Sequence, residues 1–116
     1  MSGDTLNAYQ SEVMRTAASD STPEMALAVL ALGVAGEAGE VADLLKKHLG
    51  HGHPLDRDKA AKELGDVLWY VAALANRLGF SLEEIARLNV AKLRARYPEG
   101  FDPARSLNRD SEVSRG

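Results

Sequence analysis

Four acidic residues, Glu37, Glu40, Glu63 and Asp66, fall into two pairs of the same spacing, in the stretches "EAGE" and "ELGD". A spacing of three in a helix puts both carboxylates on adjoining faces, about 60° apart around the axis. On a helical wheel Glu37 sits on the apolar stripe of Leu27, Leu30, Val34, Val41 and Leu45, and Glu40 lies on its flank. Glu63 and Asp66 border a second stripe, made by Ala60, Leu64, Val67, Val71 and Leu74, with Tyr70 one turn further on. Counted from the intervening loop, Glu40 is 10 residues before Gly50 and Glu63 is 13 after it. Antiparallel packing of the two segments therefore brings the pairs to one level, as a patch of four carboxylates at the edge of the core.

Such a patch is unstable by itself. An ionised carboxylate buried without a partner costs several kcal/mol, and like charges about 4 Å apart add repulsion. Protonation relieves this, and so does a divalent cation. All-oxygen ligation favours Mg²⁺, Mn²⁺ or Ca²⁺ over zinc. Gly36 and Gly39 alternate with the glutamates and leave room for a close approach, each at about 1 kcal/mol of helix stability relative to Ala. One acidic pair is ordinarily a solvated helix face; two, each on or beside an apolar stripe, point to a metal.

The elements that would position these residues are helices. A first is expected from Asp4 to Ala18, burying Leu6, Tyr9, Val13 and Met14 or Ala17. After the turn-rich "SDSTPE", Thr22 is a good N-cap and Pro23 a good first helical residue. The second helix should run from there to Leu49 and end at Gly50, with "GHGHPLDR" as a loop. The third starts at Asp56 or Arg57 and runs to Leu78, before Gly79. "SLEE" has the form of a capping box for a fourth, which Pro98 stops. No strand pattern or internal repeat is present. The expected class is all-α: an antiparallel bundle of four to five helices, with residues 1–101 as the domain and the polar 102–116 as a disordered tail.

Composition narrows the function. The 116 residues contain no cysteine, which excludes a disulfide framework, a thiolate metal site and a cysteine nucleophile. The N-terminus shows no basic segment followed by an apolar one, and no run of about 18 apolar residues is seen. The expectation is a cytoplasmic protein without a membrane partner. A net charge of -3 argues against a nucleic-acid partner.

Asn89, Lys92 and Arg96 are spaced three and four apart on the fourth helix, so they share a face, and Tyr97 follows. A Lys and an Arg on one face suit a polyphosphate, against the plainer reading of a solvated surface. Lys46 and Lys47 end the second helix, where positive charge complements the dipole; only one of them can turn toward the acids, and Lys47 is taken as the candidate. His48, His51 and His53 lie at a helix end and in a glycine loop, with no fourth ligand to complete a zinc site. Trp69 reads as core or subunit interface in preference to a base stacker.

"GEAGEVADLLKK" and "ELGDVLWYVAALAN", with 22 residues between Glu40 and Glu63, resemble the MazG-like nucleotide pyrophosphohydrolases. That family's signature is Glu-x-x-Glu, a spacer, then Glu-x-x-Asp, which maps onto Glu37, Glu40, Glu63 and Asp66. "NVAKLRARYPEGF" is similar to a further family segment, and the resemblance covers residues 25–101. It implies an all-α fold, oligomers in which helices of different subunits pair, and hydrolysis of a nucleoside triphosphate to the monophosphate and pyrophosphate, as in control of nucleotide pools. It implies Mg²⁺ on the four acids, with Mn²⁺ as a substitute, and phosphate or sugar contacts from Asn89, Lys92, Arg96 and Tyr97. Relatives in the superfamily act on dUTP, dCTP or phosphoribosyl-ATP. The chemistry agrees: a divalent ion neutralises charge at the α-phosphate and acidifies water, and Glu37 or Glu40 is the candidate general base.

Two rivals remain. A di-iron carboxylate bundle needs Glu-x-x-His on two helices, and neither Glu37 nor Glu63 is followed by such a His. A non-catalytic nucleotide-binding or helical interaction module would not need the full set of four acids. Leu27, Val29, Leu30, Leu32, Leu68, Trp69, Val71 and Leu74 point in several directions, more than one hairpin and two shorter helices can cover. A homo-oligomer, dimer or tetramer, is therefore expected to complete the bundle.

Overall fold

The computed structural model describes residues 5–18 and 22–107. It contains helices α1 (Leu6–Thr16), α2 (Pro23–His51), α3 (Arg57–Arg77) and α4 (Leu82–Arg96) and a short α5 (Pro103–Leu107). The described residues include no strand, only an isolated bridge between Pro98 and Gly100. α5 falls within the segment expected as tail. The expected start of the first helix at Asp4, the first half of "SDSTPE" (residues 19–21) and the tail from residue 108 lie outside the described residues.

Side chains at the helix starts account for the boundaries. Thr5 Oγ1 accepts from Ala8 N, Thr22 Oγ1 from Met25 N and Asp56 Oδ1 from Lys59 N, at 3.0, 3.2 and 3.0 Å. Each satisfies an amide that the first turn leaves without a helical partner. α2 continues two residues past its expected end. Its cap is Gly52, at φ 74°, whose N–H donates to Lys47 O; Gly50 stays within the helix. A left-handed cap needs a glycine, and the second one in "GHG" is the one used. His48 Nδ1 donates to His53 O at 2.7 Å and closes the connection.

α2 and α3 pack along each other as an antiparallel hairpin, and α1 packs against α3. Val13, Ala72, Ala73 and Leu82 form the buried cluster, flanked by Tyr9, Met14, Leu30, Trp69 and Val71. Among the described residues the one buried polar side chain is Gln10. The Gln10 amide donates to Ala72 O at 3.0 Å and Phe80 O at 3.2 Å and accepts from Leu82 N at 2.9 Å, tying α1 to the α3–α4 turn. Trp69 also anchors α1, through Nε1 to Thr16 Oγ1 at 2.9 Å.

The core is smaller than the apolar stripes suggested. Leu6 is exposed, and Leu64, expected to face inward, is 56% exposed although it shares a face of α3 with the buried Ala75, because the buried cluster gathers at the other end of that helix, around Ala72 and Ala73. Leu27 and Leu45 of the α2 stripe are also on the surface. Contrary to the composition argument above, α2 is long and apolar enough to cross a membrane. What separates it from a typical span is the placement of Glu37 and Glu40 near its middle, where a charge in hydrocarbon costs several kcal/mol.

The chain divides into two compact units, Met1–Leu82 and Glu83–Gly116. In the second, the rings of Tyr97 and Phe101 meet at a 40° tilt with centroids 5.6 Å apart, and Gly100 takes φ 96° in the turn between them.

Candidate functional site

The hairpin brings together three of the four acids. Glu37 of α2 and Glu63 and Asp66 of α3 each offer a carboxylate oxygen within 4.8 Å of the others. Glu37 and Glu63 are half-buried and Asp66 is exposed. Glu37 is the most perturbed of them. Loss of water around it raises its pKa above the ordinary carboxylate value, and the negative charges of Asp66, Glu63 and Glu40 raise it further. Glu40 thus contributes to the same field without joining the trio. Tyr9 of α1 stands at the margin; burial first, and then the Asp66 charge, push its phenol upward.

Helix registry explains the meeting. Gly33 lies one turn before Glu37 and Tyr70 one turn after Asp66, and a Cβ at position 33 would overlap the Tyr70 ring. This is where the absence of a side chain lets the helices close. Gly36 and Gly39, by contrast, have open space where a Cβ would stand, so the close approach expected there is not made within this chain.

A polar cleft of about 260 Å³ continues from the acids toward the loop, lined by Glu40, Asp43, Leu44, Lys47, His53, Pro54, Asp56, Lys59 and Glu63. Lys47 reaches it but pairs with Asp43, Nζ to Oδ2 3.0 Å. That hydrogen bond, and then the Lys47 charge, hold the Asp43 carboxyl below its usual range. On the far side of the trio an apolar pocket of about 150 Å³ is lined by residues including Met14, Ala26, Val29, Leu30, Trp69, Tyr70 and Ala73. The rings of Trp69 and Tyr70 meet edge-on, with centroids 5.0 Å apart.

Asp43 and Lys59 were not singled out from the sequence, and His53 was weighed there only as a zinc ligand. Lys59 was legible there: it precedes Glu63 by four residues and so shares its face. Tyr9 was not, because nothing local links it to Asp66. Asn89 and Lys92 are exposed on α4, and Arg96 and Tyr97 are half-buried, all within the second unit.

A trio of carboxylates from two helix arms can hold a divalent cation by oxygen alone. Comparison with known proteins agrees with that chemistry. Residues 26–101 match the model of the MazG nucleotide pyrophosphohydrolase domain. The chain is 39% identical over 87 residues to the Gene 37 protein of Mycobacterium phage L5, covering 72% of this chain and 76% of the phage protein. No solved structure matches it. With three of its four paired acids drawn together by the hairpin, the chain belongs to the MazG nucleotide pyrophosphohydrolase domain family.

Proposed function

We propose that this protein is a Mg²⁺-dependent nucleoside triphosphate pyrophosphohydrolase, splitting a ribo- or deoxyribonucleoside triphosphate between the α- and β-phosphates. The carrying observation is the convergence of Glu37, Glu63 and Asp66 from both arms of the hairpin in a member of this family. The donor set fits the ion: all ligands are hard oxygens, and the pKa of Glu37 is raised first by burial and then by the like charges of Asp66, Glu63 and Glu40, a repulsion that a cation would relieve. Mg²⁺, or Mn²⁺ in its place, would be held by Glu37, Glu63 and Asp66 with Glu40 beside them, and would supply charge neutralisation at the α-phosphate and an acidified water.

The side chains do the rest. Glu37 or Glu40 takes the proton of the attacking water. Lys47 meets the phosphates, and Asn89, Lys92, Arg96 and Tyr97 contact phosphate or sugar. The working form is a homo-oligomer. Among the described residues no large side chain is fully buried, and Leu32, Leu49 and Leu64 are 72%, 81% and 56% exposed. A second copy laid on these faces would complete the bundle. The reading places the protein in the cytoplasm, acting on the free nucleotide pool.

Pyrophosphate release from a panel of nucleoside triphosphates, dUTP and dCTP included, with phosphoribosyl-ATP alongside, tests the proposal. Release that stops in EDTA and returns with Mg²⁺ or Mn²⁺ supports it, and the preferred compound names the substrate. No release from any of them would leave a nucleotide-binding module.

A further inference from the structure

The acidic trio is flanked by surfaces of opposite character. Toward the α2–α3 loop lies the charged cleft, with Glu40, Asp43, Lys47, His53, Lys59 and Glu63 on its walls. Away from the loop lies the apolar pocket around Trp69 and Tyr70. Glu63 belongs to both trio and cleft, so a ligand held at the acids extends directly into the cleft.

Two cations await an anion in that cleft. Lys59 lies one turn, about 6 Å of helix rise, from Glu63. Its ammonium makes no ion pair among the described residues; its recorded hydrogen bond is the backbone N–H given to Asp56. Lys47 is held by Asp43, but both side chains are about half exposed, at 50% and 44%. An exposed pair of this kind is weak, so a polyphosphate outcompetes it easily. The lysines come from different helices and face each other across the connection that His48 closes onto His53. The apolar pocket has one charged side chain on its wall, Arg77, which donates to Ala18 O, and is otherwise hydrocarbon and aromatic rings, so it suits phosphates less than the cleft with its two lysines does.

Resting on the pyrophosphohydrolase reading, we propose that the loop-side cleft is the site of the leaving pyrophosphate, with Lys59 as its principal cation and Lys47 recruited from Asp43, so that the triphosphate tail runs from the acids toward the α2–α3 loop. In the reaction the water oxygen bonds to the α-phosphorus and its proton passes to Glu37 or Glu40. The bond from that phosphorus to the bridging oxygen breaks, and the electron pair departs with pyrophosphate. The lysine ammonium groups meet the charge that this adds.

Calorimetric titration of pyrophosphate, and separately of a nucleoside monophosphate, into the full chain in Mg²⁺ buffer tests the assignment. Lys59→Ala should weaken pyrophosphate binding roughly tenfold or more, the effect of losing a charged hydrogen bond. Lys59→Arg should keep most of it, and Lys62→Ala should change nothing. Monophosphate and Mn²⁺ affinities should hold in all three variants. Unchanged pyrophosphate affinity in Lys59→Ala, in a protein that hydrolyses triphosphates, overturns the subsite. So does an equal loss of monophosphate binding, since it would put Lys59 at the nucleoside end. A wild-type chain that cleaves no triphosphate yet binds pyrophosphate through Lys59 would remove the hydrolase reading and leave the cleft as a polyphosphate site.

Discussion

The ring of Tyr70 lies against the Cα of Gly33, in the space that a Cβ at position 33 would fill. The contact sets the separation of α2 and α3 one turn from Glu37 on one helix and from Asp66 on the other. Helix spacing and acid geometry are therefore the same property of this hairpin.

Gly33→Ala should destabilise the protein. Overpacking costs about 1–3 kcal/mol, against about 1 kcal/mol returned by the better helix propensity of Ala. It should also weaken Mn²⁺ binding, because α2 must move away from α3. Gly36→Ala, with open space at its Cβ, should instead stabilise by up to about 1 kcal/mol. Urea unfolding at fixed protein concentration compares them; a destabilised Gly36→Ala would show that another chain approaches there.

Glu37 carries a pH signature in the metal-free protein. Its folded pKa is raised above the ordinary 4.5, first by burial and then by Asp66, Glu63 and Glu40. The folded state then holds its proton more tightly than the unfolded one, so this group's contribution is present below the ordinary value. It is lost as pH rises from there through the raised folded value. Glu37→Gln should remove that slope, raise the metal-free melting temperature at neutral pH and abolish turnover. Melting curves in EDTA across pH 4 to 8, with the same slope in variant and wild type, would contradict this.

Gln10 satisfies two carbonyls and one amide at once. Gln10→Ala leaves them unpaired and opens a cavity, at a cost of roughly 2–4 kcal/mol. Gln10→Glu should be as harmful at pH 7, where a carboxylate faces Ala72 O and Phe80 O with nothing to donate. It should recover in part at pH 4 to 5, once protonated. A pH-independent loss in Gln10→Glu, measured by urea unfolding, would argue against this bonding pattern.

On α4, Lys92→Ala and Arg96→Ala should weaken binding of a non-hydrolysable triphosphate analogue by roughly tenfold each while leaving Mn²⁺ affinity intact. Separate titrations of nucleotide and metal decide it. Unchanged nucleotide affinity in both returns this face to an ordinary solvated surface.

Assembly is checked by light scattering. With its apolar side chains largely uncovered, the chain should run as a dimer or tetramer, and Leu32→Glu should dissociate it with loss of activity. A stable, active species of 12.5 kDa would be decisive against it.

Much of this was legible in the sequence because it depends on near neighbours. Thr22, Pro23 and Asp56 declare their helix starts by capping chemistry that spans three residues. The spacing of Glu37 to Glu40 and of Glu63 to Asp66, with a short connection between the helices, was enough to predict an acidic patch, and three of the four meet. Where several residues offered the same local chemistry, tertiary structure decided. Gly50 and Gly52 could both end α2, and only the fold of the loop selects the second. Gly33, Gly36 and Gly39 recur at the same spacing of three, each offering the same room, yet only Gly33 meets an aromatic ring, because that contact requires α3. Leu64 looked like core by its period, but the buried cluster gathers at the other end of α3, around Ala72 and Ala73, and leaves Leu64 exposed. Gln10 carried no signal, since its partners are more than 60 residues away. Periodicity says that a helix has a face; which residues press on it is settled by the rotation and separation of helices, and those are fixed only when distant side chains pack together.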